Sequence, residues 1–187
     1  MARPRKISDD DLLAAAGRAI GRHGSGFTLV QVAGEAGVAV GTVAGRFGSK
    51  HRLLHAMMSS GGESVAPRMR AAAAGRDPVE AIVAAALVIT EGVDDPATTA
   101  NHLGQLGVDL AEPALRAGFA ALRANVREVL TDLFAAAALP GAPPPAQAAR
   151  IVAALTQGAL MDWSLDPGGV VADVLRRDID AVLARWR

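Results

Sequence analysis

The stretch Thr28-Leu-Val-Gln-Val-Ala-Gly-Glu-Ala-Gly-Val-Ala-Val-Gly-Thr-Val-Ala-Gly-Arg-Phe-Gly-Ser-Lys50 decides how the chain is read. Thr28 and Gln31 form a T-x-x-Q capping box, in which each side chain can satisfy a backbone N–H of the other's turn, so a helix starts after Thr28. Val32, Ala33 and Ala36 give that helix an inner face, and Gly37 ends it. A second short helix is expected over roughly Val40 to Phe47, with Val43 and Phe47 four apart and facing inward. Gly48-Ser49 breaks it, and Ser49 can cap a further helix carrying Leu53, Leu54, Met57 and Met58. Upstream, Ser8 and Asp11 make a variant capping box. Leu12, Ala15, Ala16, Ala19 and Ile20 follow at helical spacing, and Gly24-Ser-Gly26 is a turn.

A longer helix followed by two short ones split by a glycine turn matches a helix-turn-helix arrangement, whose last helix enters the DNA major groove. From periodicity alone, a plain three-helix corner of an all-α protein reads equally well.

The whole chain agrees with a helical fold. It has 187 residues, 51% hydrophobic and only 3% aromatic, with no tyrosine. Its apolar content is mostly alanine with leucine and valine, which favours helices over strands. The absence of cysteine excludes disulfide scaffolds, thiol catalysis and cysteine-ligated zinc. His51 and His55 have a possible metal-ligand spacing, but no HExxH motif accompanies them and a surface placement is expected. No metal and no cofactor are called for. Gly41 to Lys50 resembles a phosphate loop only at a glance, because serine precedes lysine and no strand leads in. No nucleophile elbow appears either, so an enzyme is not expected. The longest apolar run, Ala81 to Ile89, is too short to span a bilayer, and the amino terminus lacks an apolar signal core. A soluble, cytoplasmic protein without membrane contact is expected.

Charge is segregated. Residues 1–52 hold eight Lys/Arg against four Asp/Glu, whereas residues 53–187 hold eleven against fifteen. A basic head on an acidic body suggests that the head meets a polyanion.

The ordered set Leu12-Leu13-x-Ala15-Ala16, Gly24, Phe27-Thr28, Val32-Ala33-x-x-Ala36-Gly37-Val38, Gly41-Thr42-Val43, Phe47, Ser49-Lys50 and Leu53-Leu54 resembles the DNA-binding head of the TetR family of transcriptional regulators. The resemblance implies a homodimer whose paired heads bind a near-palindromic double-stranded operator. It also implies a variable helical body that binds a small-molecule effector and releases DNA. Carried over by position, Thr28 and Lys50 would touch phosphates at helix amino termini, and Thr42 would sit on the recognition helix. Arg3, Arg5 and Lys6 resemble a basic arm laid on the duplex, although a solubilising tail would have the same composition. Gln31 and Arg46 complete the candidate DNA set. Helix amino termini attract phosphate oxygens, and basic side chains displace counterions. The chain also departs from the family pattern. Ala44 stands where an aromatic is usual, Gly45 follows it, Arg46 replaces a second tyrosine, and Ala39 replaces a capping serine.

The body is read as a helical bundle. A helix from Ser49 towards Ala74 is expected to kink or hinge at Ser59-Ser-Gly-Gly62. Asp77-Pro78, Asp95-Pro96 and Glu112-Pro113 each open a helix. Leu103, Leu106 and Leu110 line the second of these; Leu115, Phe119, Leu122, Val126, Leu130, Leu133 and Phe134 line the third. A proline-rich linker, Leu139 to Pro145, precedes a helix over 146–164, and a last helix carries Val171 to Trp186. The expectation is therefore about nine helices in two domains: a helix-turn-helix head over 1–52, and a ligand-binding and dimerisation body over 53–187. Ala149, Ala153, Ala154 and Gly158 are small enough for close packing, either within one subunit or against a second. An effector pocket between body helices would draw on Met57, Met58, His102, Leu106, Phe119 and Trp163. Asn101, Gln105 and Asp109 are possible inward polar groups. The leading reading is a ligand-responsive repressor released by a small apolar molecule. The alternative is a dimeric small-molecule-binding protein that no longer reads DNA specifically.

Overall fold

The computed structural model describes residues 7–187; the candidate arm of Arg3, Arg5 and Lys6 lies outside the described residues. Among the described residues the fold is all-α, with nine α-helices. These are α1 Asp9–His23, α2 Leu29–Ala36, α3 Val40–Phe47, α4 Lys50–Ala73, α5 Pro78–Leu87, α6 Pro96–Ala111, α7 Pro113–Ala137, α8 Pro145–Leu165 and α9 Val171–Leu183.

The helix starts follow from local chemistry. Ser8 Oγ accepts from the Asp11 backbone N–H at 3.1 Å, and Asp11 returns the bond to the Ser8 N–H at 3.1 Å. Thr28 and Gln31 do the same for α2, at 3.3 Å and 2.8 Å. Asp77, Asp95 and Glu112 each cap a helix whose first residue is proline, where the missing N–H costs nothing. Gly37 ends α2 in the left-handed region at φ 67°, which glycine adopts without strain.

Among the described residues, two large hydrophobic cores and a small cluster of Leu160, Trp163 and Val171 result. In the head, Leu12, Ala16, Ile20, Phe27, Val32 and Val43 pack with Leu53 and Leu54 of α4 and with Leu115 of α7. The larger body core is built from α4, α5, α7, α8 and α9, around Met69, Ile82, Leu130, Phe134, Val152 and Ile179. Because α4 contributes to both cores, a division after residue 52 runs through a continuous helix.

The helix α4 runs without a break through residues 59–62. Gly61 sits at a close helix crossing, whereas a Cβ on Gly62 would meet none of the described residues within 4 Å. A Cβ on Gly61 would meet Leu122 Cδ1 at 3.4 Å, and one on Gly118 of α7 would meet Met58 Cβ at 3.1 Å. The Gly62 carbonyl accepts a bond from Asn125 Nδ2 at 2.8 Å. The helix also passes through Pro67, which has no N–H to give the preceding turn.

Two of the small residues expected to allow close packing, Ala149 and Ala153, are fully buried within the subunit. Arg123 Nη2 caps the adjacent Ala153 carbonyl at 2.9 Å. The face of α8 left uncovered carries Ile151, Ala154, Gly158, Met161 and Leu165, with Met161 and Leu165 exposed.

Candidate functional site

Two features stand out: the outer face of α3, and a cavity at the joint between head and body.

Val43 is buried and Phe47 half-buried beneath α3, as their spacing requires. Val40, Gly41, Thr42, Ala44, Gly45 and Arg46 are all exposed. The helix begins without a side-chain cap at Ala39, and the Thr42 N–H in its first turn donates to the Ala39 carbonyl at 2.9 Å. Arg46 forms an ion pair with Asp9 at the start of α1. The side chains of Thr28 and Gln31 are engaged in their mutual cap. Arg18 and Arg22 of α1 hold Glu35 of α2, fixing the pitch of the helix pair that carries α3. The exposed surface of α3 therefore offers one hydroxyl, one guanidinium, and otherwise backbone and small apolar groups.

Lys50 takes a particular position. Its Nζ donates to the Ser25 carbonyl at 2.6 Å and lies 4.2 Å from the centre of the Phe27 ring. Burial lowers its pKa, and the charge of Asp109 on α6 pulls the value back up. The ammonium thus ties the start of α4 to the turn after α1 and faces the body. His51 and His55, one turn apart on α4, are both exposed. No group of three or more His, Asp or Glu side chains with metal-binding geometry occurs among the described residues.

The cavity measures about 390 Å³, within the range of small-molecule sites. Ile20 of α1 and Leu54, Met57 and Met58 of α4 form its head side. Residues of α6, together with Phe119 and Leu160, close the body side. Of the six residues expected at a pocket, Met57, Met58, His102, Leu106 and Phe119 line this cavity. Trp163 is not in its wall. It is buried with Val171, and its Nε1 donates to the Gly169 carbonyl at 2.8 Å.

The α6 wall combines Leu103 and Leu106 with Gln105 and Asp109, two of the possible inward polar groups of the sequence. Leu110 is exposed, while Gln105 and Asp109 are 3% and 4% exposed. Gln105 Nε2 donates to Asp109 Oδ1 at 2.6 Å. The other polar atom of the Gln105 amide, Oε1, is buried and has no hydrogen-bond partner among the described residues. Such an oxygen costs about 1–3 kcal/mol if it stays unpaired. Burial raises the Asp109 pKa, against the Gln105 bond and the Lys50 charge, which both lower it. His102, at the rim, has its pKa lowered by burial. Glu91, also in the wall, pairs with Arg68.

The amino-terminal half of α6 docks directly on α1. Asn101 Nδ2 donates to the Gly21 carbonyl at 2.7 Å. Gly21 is needed there, because a Cβ would meet Thr98 Cγ2 at 2.6 Å. The contributions of Ile20, Leu54 and Glu91 carried no signal in the sequence; in a helical pattern the first two read only as head core.

No family model and no curated protein matches the chain. Solved structures do. A TetR transcription regulator from Haloarcula marismortui superposes with a TM-score of 0.77 at 16% identity, covering 96% of this chain and 98% of that one. A transcriptional regulator from Rhodococcus sp. gives 0.74 at 21% identity, covering 95% and 97%. A TetR transcriptional regulator from Streptomyces coelicolor gives 0.66 at 24% identity, covering 96% and 98%. The fold is therefore that of TetR-family transcriptional regulators, over nearly the whole length of both chains.

Proposed function

We propose that the protein is a ligand-responsive transcriptional regulator, a repressor that binds a near-palindromic operator as a homodimer and is released by a small molecule. The single observation that carries this reading is the position of the cavity. Its wall is shared between the two helices that carry the head, α1 and α4, and the body helix α6 docked on them. An occupant there contacts both parts, so it can favour one head placement over another, as a release mechanism requires.

The head, residues 1–52, presents α3 to the major groove, with Thr42 and Arg46 as its hydrogen-bonding side chains and Thr28 near the phosphates at the start of α2. Lys50 would give a phosphate an N–H group of its ammonium that the Ser25 carbonyl does not use. The body, residues 53–187, supplies the dimer contact through the face of α8 that carries the half-buried Ile151 and Gly158 and the exposed Ala154, Met161 and Leu165. These residues alternate four and three apart, as a helix–helix seam does.

The bareness of α3 favours a second reading, in which the dimer senses a small molecule but binds DNA without sequence preference. Selection of bound fragments from a random duplex pool, followed by salt titrations on selected and scrambled duplexes, separates the two. The regulator enriches a two-fold symmetric site and binds it far more tightly than scrambled DNA. Equal affinity for both duplexes supports the second reading. No binding at low salt overturns both.

A further inference from the structure

We infer that the cavity ligand is an organic cation: an apolar body bearing a protonated amine whose N–H groups are received by Gln105 and Asp109. The inference rests on the proposed sensing role of the cavity and names the chemistry of its occupant.

Gln105 is 97% buried, and its carbonyl oxygen lacks a donor. One of its two amide N–H groups is used on Asp109 Oδ1, and the polar atom left with no partner at all is the Gln105 carbonyl, beside the remaining lone pairs of the carboxylate. A ligand that satisfies them must bring donors.

Charge points the same way. Among the described residues, the ionisable side chains in the cavity wall are Glu91, His102 and Asp109, and no lysine or arginine lines it. Burial keeps His102 towards its neutral form, and Glu91 is held by Arg68. Asp109 is the acid in the wall whose burial is unfavourable to its charge, with Lys50 acting on it from the head side. An ammonium beside Asp109 favours the ionised carboxylate and supplies the donor that Gln105 lacks. A carboxylate ligand would instead meet two acids and an acceptor oxygen. Apart from Thr98, Thr99 and Gln157, the rest of the wall is apolar, with Ile20, Leu54, Met57, Leu106, Phe119 and Leu160 to cover the body of the ligand.

Because Asp109 also acts on Lys50, an ammonium placed there competes for the same carboxylate. Ligand binding thereby reaches the residue that joins α4 to the turn after α1.

The test uses the full chain without DNA and three probes with one ring system: 2-(1-naphthyl)ethylamine, 2-(1-naphthyl)ethanol and 3-(1-naphthyl)propanoate. Calorimetric titration at pH 7 is expected to give the amine a Kd at least tenfold below that of the alcohol, with the carboxylate weakest. Asp109→Asn should abolish the preference for amine over alcohol. Leu106→Trp, which fills the cavity, should weaken all three probes. Circular dichroism verifies the fold of each variant, and the comparison of probes on the wild-type chain needs no variant. The inference is overturned if the carboxylate binds as tightly as the amine, if no probe binds, or if folded Asp109→Asn keeps the preference. A wild-type chain that binds the alcohol as tightly as the amine would remove the cation assignment and leave the regulator reading standing. Failure of the duplex selection would do the reverse.

Discussion

The side-chain amide of Asn101 donates to the backbone carbonyl of Gly21 at 2.7 Å, across 80 residues of sequence. This bond fastens α6 of the body to α1 of the head, beside the cavity wall. Asn101→Ala removes it and leaves the buried Gly21 position with one donor fewer. The unfolding free energy should fall by about 1 kcal/mol. The variant should also weaken the transmission of ligand binding to DNA more than it weakens ligand binding itself. Urea unfolding, together with duplex titrations with and without the amine probe, measures both effects. Unchanged coupling in a destabilised variant would show that the bond only holds the fold.

Gly45 lies inside α3, and nothing approaches within 4 Å of where its Cβ would stand. Gly45→Ala should therefore stabilise the protein by up to about 1 kcal/mol through helix propensity alone. A thermal midpoint 2–4 °C higher is the expected order for a chain of this size, roughly 150–250 residues. A lower midpoint would mean that α3 is not helical at Gly45 in solution.

Ala44 is exposed next to it and offers no hydrogen bond. Ala44→Tyr should add one phosphate contact per subunit, each contributing about 0.5–1.5 kcal/mol net. Selected and scrambled duplexes should both gain, because a phosphate contact positions without specifying. Thr42→Ala should instead lose discrimination at one base pair of each half-site. Weaker binding of Ala44→Tyr to both duplexes would place α3 differently on DNA.

Arg176 on α9 holds Glu80 on α5 with two bonds, at 2.9 Å and 3.0 Å. The guanidinium keeps the Glu80 carboxyl below its ordinary value of 4.5. The folded state therefore takes up this proton less readily than the unfolded chain. The stabilisation is complete above the unfolded value and is lost as pH falls through the folded one. Both side chains are about one-third exposed, at 39% and 32%, so the pair contributes only about 0.5–1 kcal/mol. Glu80→Gln should cost this at pH 7 and almost nothing at pH 3. Equal urea-midpoint differences at the two pH values would contradict the assignment.

Much of the fold is legible in the sequence because its signals are local. Capping boxes at Ser8 and Thr28, acid–proline pairs at Asp77, Asp95 and Glu112, and glycine stops at Gly24 and Gly37 act within a few residues, so they mark helix starts and ends directly. Gly61-Gly62 misleads because glycine has two uses. It permits a break, and it permits a neighbouring helix to come close, and only the tertiary placement of Leu122 and Asn125 decides which. The same limit applies to the cavity. Met57, Leu106 and Phe119 are ordinary apolar positions until α6 is laid across α1. The unpaired oxygen of Gln105 exists only once its amide is committed to Asp109. Trp163 is drawn away from the cavity by the Gly169 carbonyl, a contact that depends on the turn after α8.

The central claim is that the cavity and α3 are coupled through the head–body joint. Its most direct test is reciprocal. The amine is titrated into the protein alone and into its complex with the selected duplex, and the duplex is titrated with and without saturating amine. Coupling requires both pairs of affinities to differ by one common factor, expected to be about fivefold or more, with each ligand weakening the other. If the amine binds the free and the DNA-bound protein equally well, the cavity does not communicate with the head and the account is contradicted.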